Sequence, residues 1–155
     1  GPESSITTVR EIVEHSAAVT IIAVNDGDEI LMVNQYRWAT GQTMLEAPAG
    51  RIEAAETPCE AAIRELREET GYGAETLRYL GGFWIAPGYS TEHMFVYRAD
   101  GLYPDKLPSD IDEDISVVAV SRDELQTFIR GGFIADAKTI AALLMADIVV
   151  DRSIE

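Results

Sequence analysis

The sequence predicts an α/β fold in which helices pack on a mixed β-sheet. Apolar runs rich in β-branched residues, bounded by turn residues, recur along the chain and predict strands. Between and after them lie segments with helix caps and helical apolar spacing. Strands interleaved with two or three helices indicate a layered α/β domain. The 155 residues are enough for one such domain with a proper core.

The first half of the chain predicts a hairpin followed by a short strand. Residues 17–24 form an apolar, β-branched run, and residues 25–28 (Asn-Asp-Gly-Asp) are a turn signal. Residues 29–36 then predict the second strand of the hairpin. Residues 44–47 predict a short strand that leads into the Pro-Ala-Gly segment at 48–50.

A helix is predicted from Pro58 to about Thr70. Thr57 and Glu60 form a capping box, and Pro58 occupies the first helical position, where its missing N–H costs nothing. Gly71 supplies the stop.

This helix has a predicted apolar face and a predicted acidic face. Four residues repeat at helical spacing and should dock on the protein: Cys59, Ala62, Ile63 and Leu66. We therefore expect Cys59 to be a core residue. Glu65, Glu68 and Glu69 are expected to point away from that face, with Arg64 four residues before Glu68 and able to orient it by pairing.

The second half of the chain predicts three strands and then two helices. Ser121 and Glu124 form a second capping box, and the helix that they open should stop at Gly131. Asp136 caps a last helix that runs to about Ile148. The predicted strands are residues 77–84, 93–98 and 115–120, the first two on either side of the Pro87-Gly88 turn.

Charge and cysteine content narrow the class of partner. The net charge of −15 argues against duplex DNA or RNA, whose phosphates attract basic surfaces. Small phosphate-bearing substrates remain possible if metal ions and local arginines offset the field. A single cysteine excludes an internal disulfide and suits a reducing compartment, so we expect a cytoplasmic protein.

No membrane span or secretion signal is expected. The most apolar run, residues 139–146, is too short to cross a bilayer. Gly1-Pro2 resembles the remnant of a cleaved tag, and we assign residues 1–12 to that remnant and an N-terminal segment. Residues 13–150 are then the single folded domain.

The acidic face of the first helix is the feature most indicative of function. Like charges at helical spacing repel by a few tenths of a kcal/mol per pair. Three glutamates within five residues, with Glu56 just ahead of them, therefore need an offset. A bound divalent cation is the usual one, because Mg²⁺ and Mn²⁺ prefer hard oxygen ligands.

The spacing in this region resembles the signature of the Nudix hydrolases. The family pattern G-x5-E-x7-R-E-U-x-E-E-x-G-U, with U a bulky apolar residue, is met at every fixed position from Gly50 to Gly71. Tyr72 stands where the family more often has an aliphatic residue. The resemblance implies an α/β/α sandwich and metal-dependent cleavage of a diphosphate that is linked to another group.

The resemblance also implies a metal site. Glu65 and Glu69 would be the strongest ligands of Mg²⁺ or Mn²⁺, Glu68 would lie close behind, and the backbone carbonyl of Ala49 would be a further ligand. Gly50 would allow the backbone to approach the metal in a tight loop. Glu56 and Arg64 would support the loop and helix by ion pairing.

Segments outside this signature resemble the ADP-ribose pyrophosphatase branch of the family. They are Gln35-Tyr36-Arg37, the LE-x-PAG segment at 45–50, Pro87 at the branch's spacing from Gly71, and the D-x-K-T segment at 136–139. The similarity extends from about Val13 to Ala146. It implies hydrolysis of ADP-ribose to AMP and ribose 5-phosphate.

Five residues are the candidates for contacting such a substrate. Arg37 is the best candidate for the diphosphate, because a guanidinium binds phosphate oxygens as a fork. Tyr36 and Trp38 could stack on adenine, although aromatics at a strand end are as often core residues. Glu53, in the loop before the helix, and Glu92, after the Pro87 turn, are weaker candidates that could equally be solvated.

The general base is predicted in the acidic loop before the last strand. Glu113 is the only glutamate there and matches an E-D-I segment of the ADP-ribose group. If the family base lies two residues earlier, Ile111 occupies its place and Asp110 or Asp112 would substitute. We group Glu113, Glu68 and Arg64 as the catalytic set, Arg64 through its pairing with Glu68.

Other functions remain open from the sequence. The chain could hydrolyse GDP-mannose, ADP-glucose or a nucleoside triphosphate, or it could be a non-catalytic sensor of such ligands. The intact set of glutamates favours an enzyme. We expect a homodimer, as the branch implies, although few residues precede Val13 to build one.

Overall fold

The structure, a computed structural model, describes residues 7–108 and 115–149. Strands and helices alternate along it. In chain order they are β1 (Ala18–Val24), β2 (Ile30–Arg37), β3 (Gln42–Glu46), β4 (Ala49–Arg51), α1 (Pro58–Glu65), a π-helix (Leu66–Thr70), β5 (Tyr72–Trp84), β6 (His93–Pro104), β7 (Ile115–Val120), α2 (Arg122–Arg130) and α3 (Ala137–Met145).

The seven strands of the described residues form one mixed sheet. The order is β3-β2-β1-β6-β5, with β4 paired to β1 and β7 paired to β2. β1 and β6 run parallel and the remaining pairs are antiparallel. Val19 of β1 pairs with Phe95 of β6 on one edge and with Gly50 of β4 on the other, so β1 lies inside the sheet.

The core is divided between the two faces of this sheet. All residues of β1 are buried, and their side chains alternate between the faces. Ile22 belongs to the cluster that contains Leu125 of α2 and Leu143 of α3. Ile21 belongs to the cluster that contains Leu66, at the end of α1. Helices therefore cover both faces, which confirms the predicted α/β/α sandwich with a mixed central sheet.

The α-helices begin where their caps predicted. Thr57 and Glu60 form the capping box of α1, and Ser121 and Glu124 form that of α2. The side chain of Asp136 accepts the amide hydrogen of the third residue of α3. None of the helices in the described ranges is long and apolar enough to cross a membrane.

The prediction that the first helix stays an α-helix to its end is wrong. α1 ends at Glu65, and Leu66–Thr70 continue as a π-helix that closes at Gly71 with φ 79°. The hydroxyl of Thr70 donates to the carbonyl of Leu66 at 2.5 Å. This bond competes with backbone amides for the same acceptor, which favours a local change in winding.

The predicted apolar face of α1 is also partly wrong. Cys59 is exposed and Ile63 is 45% exposed, so Cys59 is not a core residue. Ala61, Glu65 and Glu69 are buried beside Ala62 and Leu66 instead. α1 and the π-helix therefore dock through a face that carries Glu65 and Glu69, and Gly50 of the adjoining strand β4 leaves room for Glu65.

Four elements differ in their bounds from prediction. Residues 49–51 form strand β4 and not a loop. β5 and β6 are longer than predicted and pair from Tyr72 with Pro104 to Trp84 with His93, because the added residues include glycine, aspartate and proline, which obscure a strand pattern. α3 ends at Met145 and not near Ile148, since Asp147 adopts a left-handed conformation with φ 55°.

Candidate active site

Gly50 allows α1 to dock its carboxylates against the sheet. β4 pairs with β1, which fixes Gly50 beside the end of α1. A Cβ atom built on Gly50 would collide with the carboxylate of Glu65. Glycine here permits the Glu65 carboxylate to lie against the backbone of β4, whereas the sequence predicted that it would permit a tight loop.

Arg64 holds three glutamates together. Its Nε and Nη2 donate to the two carboxylate oxygens of Glu56, each at 2.9 Å. Its Nη1 donates to Glu65 Oε1 at 2.7 Å and to Glu68 Oε2 at 2.9 Å. Nη2 also donates to the carbonyl of Arg51 at 2.9 Å, which ties α1 to β4. We call Glu56, Glu65, Glu68 and Glu69, with Arg64, the carboxylate cluster.

These bonds shift the ionisation of both partners. The pKa of Arg64 is raised above its ordinary value, chiefly by the hydrogen bonds to Glu56 and then by Glu65 and Glu68. The pKa of Glu56 is lowered, chiefly by the hydrogen bonds from Arg64. Arg64 and Glu56 are therefore a charged pair at neutral pH, in agreement with the predicted supporting role.

Glu69 lies beneath the surface of the cluster. It is 6% exposed, and its Oε2 accepts the backbone amide of Ala49 at 2.9 Å. Glu65 is 8% exposed. Two carboxylates therefore lie largely out of water, an arrangement that is costly without compensating positive charge. The predicted role of the Ala49 carbonyl stays a prediction, since the bond that the structure describes is to its amide.

The donor atoms of this cluster suit a hard divalent cation. Carboxylate oxygens of Glu65 and Glu68 meet at one nitrogen of Arg64, and Gly50 keeps the space beside Glu65 free of a side chain. Among residues 7–108 and 115–149, no three His, Cys, Asp or Glu side chains are already arranged to hold a metal ion. The residue types fit Mg²⁺ or Mn²⁺, with Arg64 balancing part of the charge.

A cavity of about 720 Å³ opens beside this cluster. Glu65, Glu68 and Arg64 line it, together with Gly50 and Ala49. Its other charged lining residues are Arg37, Arg51, Glu53, Glu92 and Lys138. A cavity of this size falls within the range of small-molecule binding sites, and its lining offers charged groups of both signs.

A second group of charged residues joins β2, β3 and the start of α3, and two of its members, Arg37 and Lys138, line the same cavity. Glu46 is 1% exposed, and Arg37 donates to it from Nε at 2.9 Å and from Nη2 at 2.8 Å. The Nζ of Lys138 donates both to Glu46 Oε2 and, at 2.8 Å, to Asp136 Oδ2. We call Arg37, Glu46, Asp136 and Lys138 the Glu46 cluster.

The start of α3 is tied to the end of β3 beside this cluster. The hydroxyl of Thr139 donates to Asp136 Oδ2 at 2.6 Å and accepts the amide of Ala47 at 2.9 Å. Burial would raise the pKa of Asp136, but the charge of Lys138 and the hydrogen bonds from Lys138 and Thr139 outweigh it and lower that pKa. The pKa of Arg37 is raised, chiefly by its hydrogen bonds to Glu46.

The predicted substrate-contacting residues divide into two groups. Arg37, Glu53 and Glu92 line the cavity. Tyr36 and Trp38 are 44% and 88% exposed, so they are not core residues, and their rings contact each other edge-on at 5.0 Å between centroids. The predicted base, Glu113, and its alternatives Asp110 and Asp112 lie outside the described residues.

Some residues of the cavity were not identified from the sequence as site residues. Lys138, which lines the cavity, and Glu46, which lies behind it, fall within the D-x-K-T and LE-x-PAG segments, which indicated a family but not a role for these side chains. His15 lines the cavity beside Glu92, with 3.8 Å between Nδ1 and Oε1. Nothing in the sequence around His15 indicates this position.

Comparison with known proteins agrees with this geometry. A family model described as the NUDIX domain matches residues 14–143. The chain is 38% identical over 136 residues to an ADP-ribose pyrophosphatase of Bacillus subtilis (strain 168), covering 86% of this chain and 74% of that protein. It is 38% identical over 139 residues to a methanol dehydrogenase activator of Bacillus methanolicus, covering 88% and 75%. A crystal structure of an ADP compounds hydrolase superposes with a TM-score of 0.78 at 30% identity, covering 84% of this chain and 70% of that one.

Proposed function

Because this chain belongs to the Nudix family of pyrophosphohydrolases, we propose that it hydrolyses the diphosphate bond of a nucleoside diphosphate sugar, with ADP-ribose as the preferred substrate. Water adds to one phosphorus, the bridging P–O bond breaks, and the products are AMP and ribose 5-phosphate. The preference for ADP-ribose is supported by the Bacillus subtilis relative.

One observation carries this proposal. A single cavity is lined by carboxylates that suit a divalent cation, Glu65 and Glu68, and by a guanidinium that suits a phosphate, Arg37. A site for a metal-bound diphosphate needs carboxylates for the metal and a cation for the phosphates, close enough together to contact one small ligand. From the sequence, Arg37 was expected near Glu65 and Glu68 only because of the family resemblance.

The carboxylate cluster would hold the metal. Glu65, Glu68 and Glu69, with the carbonyl of Ala49, are the proposed ligands of Mg²⁺ or Mn²⁺. A divalent cation bound there lowers the pKa of the attacking water and offsets charge on the phosphate oxygens. Arg64 orients Glu68 and Glu65 from one nitrogen, and through Glu56 it anchors the loop that precedes α1.

The remaining roles fall to residues on other sides of the cavity. Arg37 binds the diphosphate, and Glu53 and Glu92 contact the sugar or the ribose hydroxyls. Tyr36 and Trp38 stack on the adenine or become covered in a homodimer, because such exposed aromatics suit either contact. Glu113 is the proposed general base.

The test is a substrate panel with purified protein. ADP-ribose, ADP-glucose, GDP-mannose and nucleoside triphosphates are assayed with Mg²⁺ and with Mn²⁺, and the products are separated by ion-exchange chromatography. We expect the highest kcat/KM for ADP-ribose, AMP as a product, and loss of activity with a chelator that either metal restores.

Two variants make the test specific. Glu69→Gln should lower kcat more than about 100-fold, since even residues that only support metal ligands contribute about 10- to 100-fold. Glu75→Gln, at an exposed glutamate of β5, is the matched control and should behave as wild type. Turnover of no substrate, or an unimpaired Glu69→Gln variant, would refute the proposal.

A homodimer is the proposed assembly. Light scattering at micromolar concentration should give twice the mass of the 17.0 kDa chain. A monomer at that concentration would contradict the assembly while leaving the hydrolase activity open to its own test.

A further inference from the structure

We infer that Lys138 is a second substrate-binding cation, which binds the same phosphoryl group as Arg37. Glu46 is the residue that positions both cations. The inference rests on the proposed function for the identity of the ligand, a nucleoside diphosphate. It adds a specific contact for Lys138, which lines the cavity from the first turn of α3.

The geometry places the two cations side by side. Arg37 Nη2 and Lys138 Nζ both donate to one oxygen, Oε2 of Glu46. Two donors that share one acceptor are near enough to share another, and the nonbridging oxygens of one phosphoryl group offer several acceptors. Glu46 is 1% exposed and lies behind the cations, so it positions them without reaching the ligand.

Both cations keep donors for a ligand. Glu46 accepts one hydrogen bond from Nε and one from Nη2 of Arg37. In the described part of the chain, Nη1 of Arg37 has no acceptor. Lys138 donates to Glu46 and Asp136, which leaves one ammonium hydrogen. The Lys138 side chain is 14% exposed and that of Arg37 is 37% exposed, and both meet the cavity.

The position of Lys138 is fixed by two carboxylates and by the anchored first turn of α3. Asp136 caps α3 and binds the ammonium group of Lys138. Thr139 links the same turn to the amide of Ala47, one residue after Glu46. A side chain held in this way loses little further freedom when it binds a ligand, which favours tight binding.

Stability alone explains this arrangement poorly. A buried ion pair repays little more than its desolvation cost, and apolar replacements are often neutral or stabilising. The Glu46 cluster pairs two carboxylates with two cations, so its described members balance in charge. An incoming phosphate is then the group that can use the remaining donors.

The principal test is Lys138→Met, which keeps the aliphatic stem and removes the charge. We expect KM for ADP-ribose to rise about tenfold or more, as for loss of one charged hydrogen bond, with little change in kcat. The Kd of the non-hydrolysable α,β-methylene analogue should rise by the same factor. Lys138→Arg should recover most of the loss.

Lys106→Met is the matched control, since Lys106 is the only other lysine of the chain and is exposed. It should match wild type in KM and in Kd. A purely structural role for Lys138 is tested by Asp136→Asn/Lys138→Met, which removes the carboxylate that Lys138→Met leaves without its ammonium partner and keeps the Arg37–Glu46 pair. We expect the double variant to regain thermal stability but to keep the high Kd for the analogue.

The outcomes separate this inference from the proposed function. Wild-type Kd and KM in Lys138→Met, or in the double variant, would overturn the inference while hydrolysis stands. If no substrate is hydrolysed but the analogue binds and Lys138→Met weakens it, the contact stands and the proposed reaction fails. An analogue that binds to neither wild type nor variant overturns both.

Discussion

The two charged clusters that contribute residues to the cavity differ in how their charges are paired. In the carboxylate cluster one guanidinium, Arg64, binds Glu56, Glu65 and Glu68, so acids outnumber the cation in these bonds. In the Glu46 cluster Arg37 and Lys138 meet two carboxylates, and donors remain. The first arrangement favours an added cation and the second an added anion, which are the two halves of a metal diphosphate.

Of the substitutions that compare the two clusters, the largest expected effect comes from filling the space beside Glu65. Gly50→Ala places a methyl group where the Glu65 carboxylate lies, so this ligand must move. We expect kcat/KM to fall about 10- to 100-fold, as for loss of support to a metal ligand. Steady-state kinetics with saturating Mg²⁺ measure it.

Gly88→Ala is the control for that substitution. A Cβ atom at Gly88 meets no atom within 4 Å, so activity should be unchanged. Equal activities of the Gly50 and Gly88 variants would mean that hydrolysis does not depend on the position of the Glu65 side chain.

Removal of Arg64 tests whether the carboxylate cluster carries an excess of negative charge. Arg64→Met leaves its glutamates without their shared cation, and because the Arg64 side chain is 21% exposed we expect a loss of about 2–3 kcal/mol in the free energy of unfolding. Millimolar Mg²⁺ or Mn²⁺ should restore part of this loss, since a divalent cation bound to the native state stabilises it. Urea unfolding with and without metal gives both values.

Lys138→Met is the comparison in the other cluster. Divalent cations should stabilise this variant only as much as they stabilise wild type, because its carboxylate cluster is intact and the acids that it leaves are not the proposed metal ligands. Its deficit relative to wild type should therefore remain, whereas that of Arg64→Met should shrink. Recovery of both variants by metal, or of neither, would remove the distinction between the clusters.

A smaller effect is expected at the junction of β3 and α3. Thr139→Val removes the acceptor for the buried amide of Ala47, so the free energy of unfolding should fall by about 1–3 kcal/mol. Thr127→Val, at an exposed position of α2, removes only a hydrogen bond to the carbonyl of Asp123 and should lower the free energy of unfolding by less. Chemical denaturation compares them, and equal losses would argue against a buried link.

The smallest effect is a pH dependence in the Glu46 cluster. The pKa of Asp136 in the folded protein lies below its ordinary value of 3.8. The unfolded state therefore binds the proton first, and the stability that Asp136 contributes is present above pH 3.8 and lost as pH falls through the folded pKa.

Asp136→Asn measures this contribution. The difference in unfolding free energy between wild type and the variant should be greatest near pH 6 and shrink below pH 3.8. A difference that stays constant down to acid pH would show that the carboxylate charge is not what stabilises the start of α3.

The sequence predicts those parts of the molecule that depend on local chemistry. Both capping boxes, the cap at Asp136 and the strand character of β1 come from residues within a few positions of each other. The metal-ligand candidates also come from one short segment. The α/β/α layering followed from this order of elements together with the family resemblance.

What the sequence does not predict depends on residues that are distant along the chain. The buried face of α1 was misjudged because Gly50 accommodates Glu65, a packing choice that helical spacing cannot indicate. The π-helix contains a hydrogen bond from the Thr70 hydroxyl to the carbonyl of Leu66, and no rule of helical spacing predicts this change of winding. The contact of Lys138 with Glu46 joins α3 to β3 and could be found only once the fold brought them together.

The exposure of Cys59 has a practical consequence for spectroscopy. It is the only cysteine of the chain and lies in the first turn of α1, outside the core. A single maleimide fluorophore can therefore be attached without substituting any residue, at a point on the same helix as Glu65. Such a label offers an optical readout of cation and nucleotide binding in which every labelled molecule is chemically identical.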